Sequence, residues 1–379
     1  IIATFERIEP GSGKHLKKFM DEAQENYRIA MQDLVYNPGL SLLELVSVES
    51  AKRLNLFVKN ISEQVRKEIK NPKLRSILEF PVLFLGAKPN KTPAFYNFMN
   101  HADFGLGTWY PKGGFNAVAL GMVKLAKELG VEFHVNEEVI GIDYENNQAK
   151  KIRTQNGVYE ADVFISGADY AHTEKLLNGN RNYSEEYWQK KTFAPSSFLY
   201  YVAFNRKVNH LLHHNLFFDT DFEAHAKEIY DTKELPKQPL FYANFSSKTD
   251  DSLCEEGKEV GFFLIPVAVD LEDNEEIHEK YFQLILDRIK KCTGEDLSDA
   301  IVFKKSFGVK DFKERYHSCR GNAYGLANTL LQTSVLRPTI KNKKLKNFFY
   351  TGQLTVPGPG VPPALISGKV VTDYILKNN

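Results

Sequence analysis

Apolar residues recur at helical spacing over the first part of the chain. Leu54, Val58, Ile61 and Val65 follow one another at steps of three or four residues, which places them on one face of a helix. Proline and glycine dipeptides separate segments of this kind. The spacing predicts helices over residues 13–35, 50–71 and 72–79.

The helical pattern resumes after Gly113. In "FNAVALGMVKLAKELG", Val118, Met122, Leu125 and Leu129 again recur at steps of three and four residues. The two glycines at positions 113 and 114 stand at its start, and a further glycine follows its end. A helix is therefore predicted directly after these glycines.

Short alternating runs follow this helix and predict strands. Asn156-Gly157 stands between two of the runs, and this dipeptide is a strong signal for a hairpin turn. The predicted strands are residues 131–135, 138–146, 148–154 and a final buried strand at 163–165.

The remaining chain mixes apolar strands with two helices. The runs "SFLYYVAFN", "PLFYANFS" and "EVGFFLIPVAV" alternate or are fully apolar, as expected of a sheet with one face covering a binding space. Helical spacing covers residues 275–291. A buried strand at 347–350 then leads through Pro-Gly-Pro-Gly into a helix at 364–376.

Composition and charge narrow the classes of protein. With 42% hydrophobic and 26% charged residues the chain is typical of globular proteins, and a net charge of +1 gives no basic footprint for nucleic acid. No apolar run is long enough to span a membrane, and no secretory leader is visible. We expect free cysteines, no metal site, no nucleic-acid partner and a cytoplasmic location.

Familiar catalytic and phosphate-binding motifs are absent from the sequence, including GxSxG, GxxxxGK[ST], HExxH and GxGxxG. The tandem His213-His214 is expected to point to opposite faces of a strand, which favours a surface or packing role over metal binding. Three segments nevertheless end in backbone that could face one ligand. They are residues 138–140, residues 166–169, and residues 351–352 together with 357–361.

Four longer segments carry a resemblance to a known family. They are "TWYPKGGFNAVALGMVKLAKELGVEFHVNEEVIGI", "VFISGADYAHTEKLL", "RGNAYGLANTLLQTSVLRP" and "NFFYTGQLTVPGPGVPPALISGKVVTDYIL". In this order and spacing they resemble the bacterial-type carotenoid desaturases, flavin-dependent enzymes that include phytoene desaturase and hydroxycarotenoid 3,4-desaturase. The closing segment is the most specific of the four, and the resemblance spans essentially the whole chain.

The resemblance implies an α/β (α+β) fold. An FAD-binding Rossmann-like domain of the flavin amine-oxidase and glutathione-reductase type would stand beside a substrate domain of mixed sheet plus helices. The first βαβ unit of such a domain, with its GxGxxG, has no counterpart in this chain, and we expect it upstream of Ile1. The implied division is a substrate-facing or membrane-facing helical part at 1–112, FAD-binding domain at 113–169 and 307–379, and substrate-domain sheet at 170–306.

The resemblance also implies FAD as the cofactor and names the residues that hold it. The backbone of Val139 would meet the adenine, and the Pro-Gly-Pro-Gly turn would run along the isoalloxazine ring. The helix amino terminus beyond the turn would stabilise a reduced flavin by about 1 kcal/mol. Asp169 is explained equally well as a helix cap. The implied FAD-binding residues are Val139, Gly167, Ala168, Asp169, Gly352, Gly358, Pro359, Gly360 and Val361.

The implied activity is the introduction of double bonds into a long polyene, with FAD as hydride acceptor. Within the family we favour a hydroxycarotenoid 3,4-desaturase. Phytoene desaturase, a redox-neutral carotenoid isomerase and a non-enzymatic carotenoid-binding protein remain alternatives. The implied partners are a carotenoid, a membrane surface contacted peripherally within residues 72–104, and oxygen or a quinone as electron acceptor; the oligomeric state is left open.

The acid–base chemistry of the family has been linked to an arginine with a nearby acid, ahead of an apolar run like "FPVLFLG". Arg75 matches this arginine, whereas Asn71-Pro72 stands where an acid is expected. A plain role on the helix surface is the alternative for Arg75, because exposed charges on helices rarely do more.

Overall fold

The computed structural model describes residues 1–41, 44, 54–329 and 331–378. It mixes helices with sheets, and the α/β class expected from the sequence is confirmed. The described α-helices of five or more residues are α1 (Ile2–Ile8), α2 (Ser12–Ile29), α3 (Leu54–Val58), α4 (Ile61–Glu68), α5 (Pro72–Glu79), α6 (Gly114–Glu128), α7 (Tyr170–Leu176), α8 (Glu185–Lys190), α9 (Phe222–Lys227), α10 (Glu275–Thr293), α11 (Val309–Tyr316) and α12 (Val361–Asn378).

The strands of the described part form three separate sheets. They are β1 (Val139–Glu145), β2 (Gln148–Thr154), β3 (Val158–Glu160), β4 (Phe164–Ser166), β5 (Ser196–Phe204), β6 (His214–Phe217), β7 (Phe241–Asn244), β8 (Glu259–Val267), β9 (Ile301–Phe307) and β10 (Phe348–Tyr350). None of the described helices is both long and apolar enough to cross a bilayer.

The first helices pack around one apolar cluster, which includes Leu16, Val65 and Leu78. Side-chain caps define where α4 and α5 begin. Asn60 forms a capping box with Glu63, and the side chain of Asn71 accepts hydrogen bonds from the first turn of α5. The predicted single helix over 50–71 is therefore wrong, because a new helix starts after Asn60; residues 50–53 lie outside the described part.

Other predicted boundaries shift for local reasons. The helix predicted for 13–35 ends as an α-helix at Ile29 and continues as one wider turn over Ala30–Leu34. Residues 131–135 form no strand, although their alternation predicted one. No described strand pairs with them. Alternating apolar and polar side chains do not form a strand by themselves, because the backbone N–H and C=O groups also need a partner strand for their hydrogen bonds.

Helix α6 forms as predicted, but it buries none of its side chains. Phe115, Leu120 and Leu125 are more than half exposed. An apolar surface of this extent marks a contact face, and none of the residues described here covers it.

Strands β1, β2 and β3 form an antiparallel meander. Its two turns are built from asparagines. Asn156-Gly157 joins β2 to β3 as predicted, and Asn146 and Asn147 both adopt positive φ between β1 and β2. The second turn lacks a glycine, which is why its sequence signal is weaker.

Strands β4 and β10 form a two-stranded parallel sheet, with Phe164 opposite Phe348 and Ser166 opposite Tyr350. This pairing joins stretches of chain that are far apart in sequence. The strand predicted at 163–165 begins one residue later, and Ile165 is 49% exposed instead of buried. On the side of Ile165, its neighbour Phe349 is buried against Val370 and Val371 of α12, so the described residues cover β10 on both sides and leave this side of β4 exposed.

The largest sheet has the strand order β6-β7-β8-β5-β9 and is antiparallel throughout. Alternate residues of its strands point to one side and pack against α10. Phe198, Tyr200 and Phe263 belong to the principal apolar core together with the helix side chains Phe282 and Ile285. Among the described residues, no helix packs along the opposite side, called the open face below, in the way that α10 does.

Candidate functional site

Two glycines lie side by side where the parallel strands end. Gly167 follows β4 and Gly352 follows β10, at the carboxyl ends where ligands bind in parallel sheets. A Cβ placed on Gly352 would approach only the carbonyl oxygen of Gly167, at 3.9 Å. The space over the strand ends is therefore open, and any larger residue there would fill part of it.

The backbone N–H of Gly352 is already used by the protein. It donates to Oγ of Ser367 on α12 at 2.8 Å, and this hydroxyl also pairs with Oγ1 of Thr351 at 2.7 Å. Gly352 adopts φ of 103°, which favours glycine. Gly352 thus leaves room for a ligand and fixes α12 against β10, but its amide is not free to bind.

The Pro-Gly-Pro-Gly turn has an inner and an outer part. Gly358 and Pro359 are buried, whereas Gly360 and Val361 are exposed. A Cβ on Gly358 would stand 3.2 Å from the side-chain amide of Asn328 and 3.5 Å from Cζ of Arg337. Gly358 therefore lets the turn pack on the protein interior, and Gly360 and Val361 form its outward side.

Arg337 holds the turn from inside. It is 4% exposed, and its Nε donates to the carbonyl of Thr355 at 2.8 Å. Its remaining nitrogens donate to the carbonyl of Gln353 at 2.7 Å and to Oδ1 of Asn328 at 2.5 Å. Burial lowers the pKa of Arg337 to about 10. No sequence motif indicates this role of Arg337, because most of the acceptors are backbone carbonyls.

Asp169 caps α7 and links it to a distant segment. Its Oδ1 accepts from the backbone N–H of His172 at 3.1 Å, and its Oδ2 accepts from the N–H of Cys319 at 3.0 Å. Burial raises the pKa of Asp169 above its ordinary value. The cap role is confirmed, and both carboxylate oxygens are used within the protein.

Glu138, the residue before Val139, connects the start of β1 to the first turn of α7. Oε1 of Glu138 lies 3.0 Å from Nε2 of His317, whose ring stacks on His172 with centroids 4.1 Å apart. Val139 itself begins β1 and is half-buried against the cluster that contains Phe164. The structure thus gathers the first turn of α7 and the start of β1, which the sequence presented as separate segments.

The gathered backbone fits a large flat cofactor. Gly360 and Val361 are exposed, and the space above the ends of the two strands, at Gly167 and Gly352, is open. FAD bound there would be held by Gly167, Ala168, Gly360 and Val361, with Gly352 beneath it. Gly358, Pro359 and Asp169 would contribute indirectly, because they fix the positions of the turn and of α7. Binding by these residues and by Val139 stays a prediction.

The open face of the five-stranded sheet is apolar. Register places its outward side chains unambiguously, because Tyr201 pairs with Phe262 and Tyr242 pairs with Leu264. Tyr201 is 45% exposed and Phe303 is 55% exposed. This face therefore offers an extended apolar surface of the kind expected from the sequence.

A separate cleft of about 430 Å³ lies beside α7 and is polar. Its lining includes Lys175, Arg181, Lys313 and Arg320, together with the carboxylates of Glu174 and Asp270. Such a lining suits charged or hydrogen-bonding groups. An apolar chain would leave these groups without partners, so the open face is the better surface for one.

Arg75 lies in the helical part, on α5. Its Nε donates to the carbonyl of Ile69 at 2.6 Å. The carboxylate of Glu9 is close enough to interact electrostatically with the Arg75 guanidinium. Glu9 supplies the acid that the sequence around Asn71 lacks, but it also caps the backbone of Lys70 and Asn71. No described contact joins Arg75 to the glycine turns, and its acid–base role stays a prediction.

Comparison with known proteins identifies the family. A model described as flavin containing amine oxidoreductase matches residues 19–376. The chain is 38% identical to a carotenoid 3,4-desaturase of Haloarcula japonica, over 99% of this chain and 77% of that protein. It is 30% identical to a zeta-carotene-forming phytoene desaturase of Myxococcus xanthus, over 98% and 73%.

A solved oxidoreductase structure from Methanosarcina mazei matches the fold with a TM-score of 0.57 at 18% identity, over 88% of this chain and 74% of that one. The protein is an FAD-dependent oxidoreductase, and the cofactor expected from the resemblance is confirmed by its family. The chain belongs to the flavin-containing amine oxidoreductase family, among its carotenoid desaturases.

Proposed function

We propose that this enzyme introduces carbon–carbon double bonds into a carotenoid, at the 3,4 position. The observation that carries the proposal is the 38% identity to a carotenoid 3,4-desaturase over 99% of the chain. The open apolar face supports it, because a polyene needs a long surface without unpaired polar groups.

Desaturation removes a hydride and a proton from a CH–CH pair. Bound FAD supplies the hydride acceptor. The residues of this chain would position the reacting carbons and exclude water, since apolar side chains such as Phe262 and Leu264 surround the substrate surface. For the proton, Arg75 is the candidate from the sequence, and Glu9 is a carboxylate close to it in the structure.

The reduced cofactor must pass its electrons on, and we propose oxygen or a quinone as acceptor. Turnover without oxygen, in the presence of added quinone only, would assign the quinone. Turnover in air without quinone, with hydrogen peroxide as the product, would assign oxygen.

We also propose that the protein is cytoplasmic and contacts a membrane surface peripherally, because carotenoids partition into bilayers. The apolar residues of 72–104 that suggested this surface are largely buried, among them Leu74, Leu78 and Val82. The exposed apolar side chains that follow this stretch are Leu106 and Trp109. Flotation with liposomes tests the contact, and Trp109→Ser is expected to weaken it.

The experiment that tests the function is turnover of carotenes by the FAD-loaded protein in liposomes. A red shift of the carotenoid spectrum, with the new double bond located at position 3,4 by mass spectrometry and NMR, is the expected result. A product with its new double bonds at the positions formed by a phytoene desaturase would contradict the 3,4 position and would indicate a phytoene desaturase. Isomer change without a red shift would indicate an isomerase, and tight binding without any product would indicate a carotenoid-binding protein.

A further inference from the structure

A row of aromatic rings crosses the open face. Each ring centroid lies between 4.1 and 6.4 Å from the next. We call it the aromatic row, and its members in order are Tyr201, Phe262, Tyr242, His214, His213 and Tyr110. Its strand residues belong to β5, β8, β7 and β6, which are neighbours in the sheet, so the row runs across the strands.

The row begins among apolar side chains. Leu264 lies opposite Tyr242, and Leu199 lies opposite Leu264 on the next strand. At the β6 edge Leu216 pairs with Tyr242 and is 43% exposed. Flat rings and branched side chains of this kind make a surface on which an extended conjugated chain can lie.

The row changes character at the β6 edge, where polar groups gather. Asn244 pairs directly with His214 across the strands. The hydroxyl of Tyr242 lies 2.6 Å from Nδ1 of His214 and accepts from Nδ2 of Asn244 at 2.9 Å. Beyond them, Nδ1 of His213 lies 2.7 Å from Oγ1 of Thr249, and the two histidine rings stack. The expectation that the two histidines point to opposite faces is therefore wrong, because His213 precedes the strand.

Hydrogen bonding fixes the proton of His214. Its Nδ1 faces the Tyr242 hydroxyl and, at 3.4 Å, the Nδ2 of Asn244, which can only donate. Nδ1 is therefore the acceptor, and in the neutral ring the proton is on Nε2. Burial lowers the pKa of His214, and this favours the neutral ring. The charge of Asp103 acts in the opposite direction but is the smaller of the two effects.

Two polar atoms of this group have no hydrogen-bond partner within the described part of the chain. No described residue bonds to Nε2 of His214 or to Oδ1 of Asn244, and His214 is exposed on the open face. One is a donor and the other an acceptor. Residues directly opposite in a sheet have Cβ atoms about 5 Å apart, so a single small group can reach both. A hydroxyl group, which donates and accepts, matches this pair.

We infer that the aromatic row binds the polyene and that His214 and Asn244 bind a hydroxyl group at its end. The inference rests on the proposed function, and it assigns His214 and Asn244 as the residues that distinguish a hydroxylated carotenoid, the substrate class already favoured by the resemblance, from a carotene. Tyr242 acts as a positioning residue, because its hydroxyl sets the tautomer of His214. A carotene without the hydroxyl would leave the donor and the acceptor facing an apolar end.

The test compares an acyclic carotene with the same carotene carrying a terminal hydroxyl, both in phosphatidylcholine liposomes with the FAD-loaded protein. We expect kcat/KM to favour the hydroxylated form. His214→Phe and Asn244→Leu remove one bond each and should each reduce this preference by about 3- to 10-fold, mainly through KM. His210→Phe is the matched control, since His210 is exposed in the loop before the row, and it should keep the wild-type preference.

The outcomes separate the inference from the proposed function. Equal kcat/KM for both carotenes in the wild type, with desaturation of both, overturns the hydroxyl site and leaves the function standing. No desaturation of either carotene overturns the function. If the variants fold poorly, competition decides: a long-chain alcohol should inhibit the wild type at least about 3-fold more strongly than the alkane of equal length, and equal inhibition overturns the site.

Discussion

Replacing Arg337 by Met tests whether the Pro-Gly-Pro-Gly turn is held from inside. The substitution keeps an unbranched side chain but removes every donor of a guanidinium that is 4% exposed. Three acceptors at 2.5 to 2.8 Å lose their partner: the carbonyls of Thr355 and Gln353 and the side-chain oxygen of Asn328. The first two belong to the segment that leads into the turn.

The magnitude follows from these contacts. A buried acceptor without a partner costs about 1–3 kcal/mol, and three such acceptors set the scale of the loss. Part of it is offset, because the variant no longer keeps a cation in a site that lowers its pKa to about 10. We expect the free energy of unfolding to fall by about 3 kcal/mol, and FAD to dissociate faster because the turn is no longer fixed.

Denaturant unfolding of the FAD-loaded protein, with flavin release followed by fluorescence, measures both effects. Arg206→Met is the control. Arg206 is paired with Glu295 and Asp299 at the surface, so its loss should cost at most about 1 kcal/mol. An Arg337→Met protein as stable as this control, with wild-type retention of FAD, would refute the reasoning.

Two further predictions concern the turn and a buried carboxylate. Gly360→Val should release FAD, because Gly360 has φ of 114° and its Cβ would meet Pro363 at 3.3 Å; Gly368→Ala, with no atom within 4 Å of its Cβ, should retain FAD. For Glu174, burial raises the pKa above 4.5, so the folded state binds more protons than the unfolded state above that pH. The stability of wild type relative to Glu174→Gln should therefore decline as the pH rises above about 4.5, and a constant difference would contradict this.

The sequence predicted elements whose signals are local. Helix α5 spans Pro72–Glu79 as expected, because Asn71 caps it and its proline stands in the first turn. The Asn156-Gly157 hairpin formed for the same reason. The prediction of a strand at 131–135 was wrong, because a strand is stable only beside a partner strand. The pattern within one segment does not show whether such a partner exists.

The candidate site shows the same division. Glycines at 167 and 352 were recognised from the sequence, but their adjacency depends on the parallel pairing of β4 with β10. Arg337 was missed because hydrogen bonds to carbonyls leave no pattern in the sequence. The pairing of His214 with Asn244 arises from register, which the sequence of either strand alone does not determine.

Anaerobic mixing of the FAD-loaded protein with a carotenoid tests the central claim most directly, because it follows flavin and substrate in one spectrum. The account predicts that the absorbance of oxidised flavin is lost in step with a red shift of the carotenoid, with one flavin reduced for each double bond formed. Carotenoid binding or isomerisation with the flavin still oxidised would contradict it.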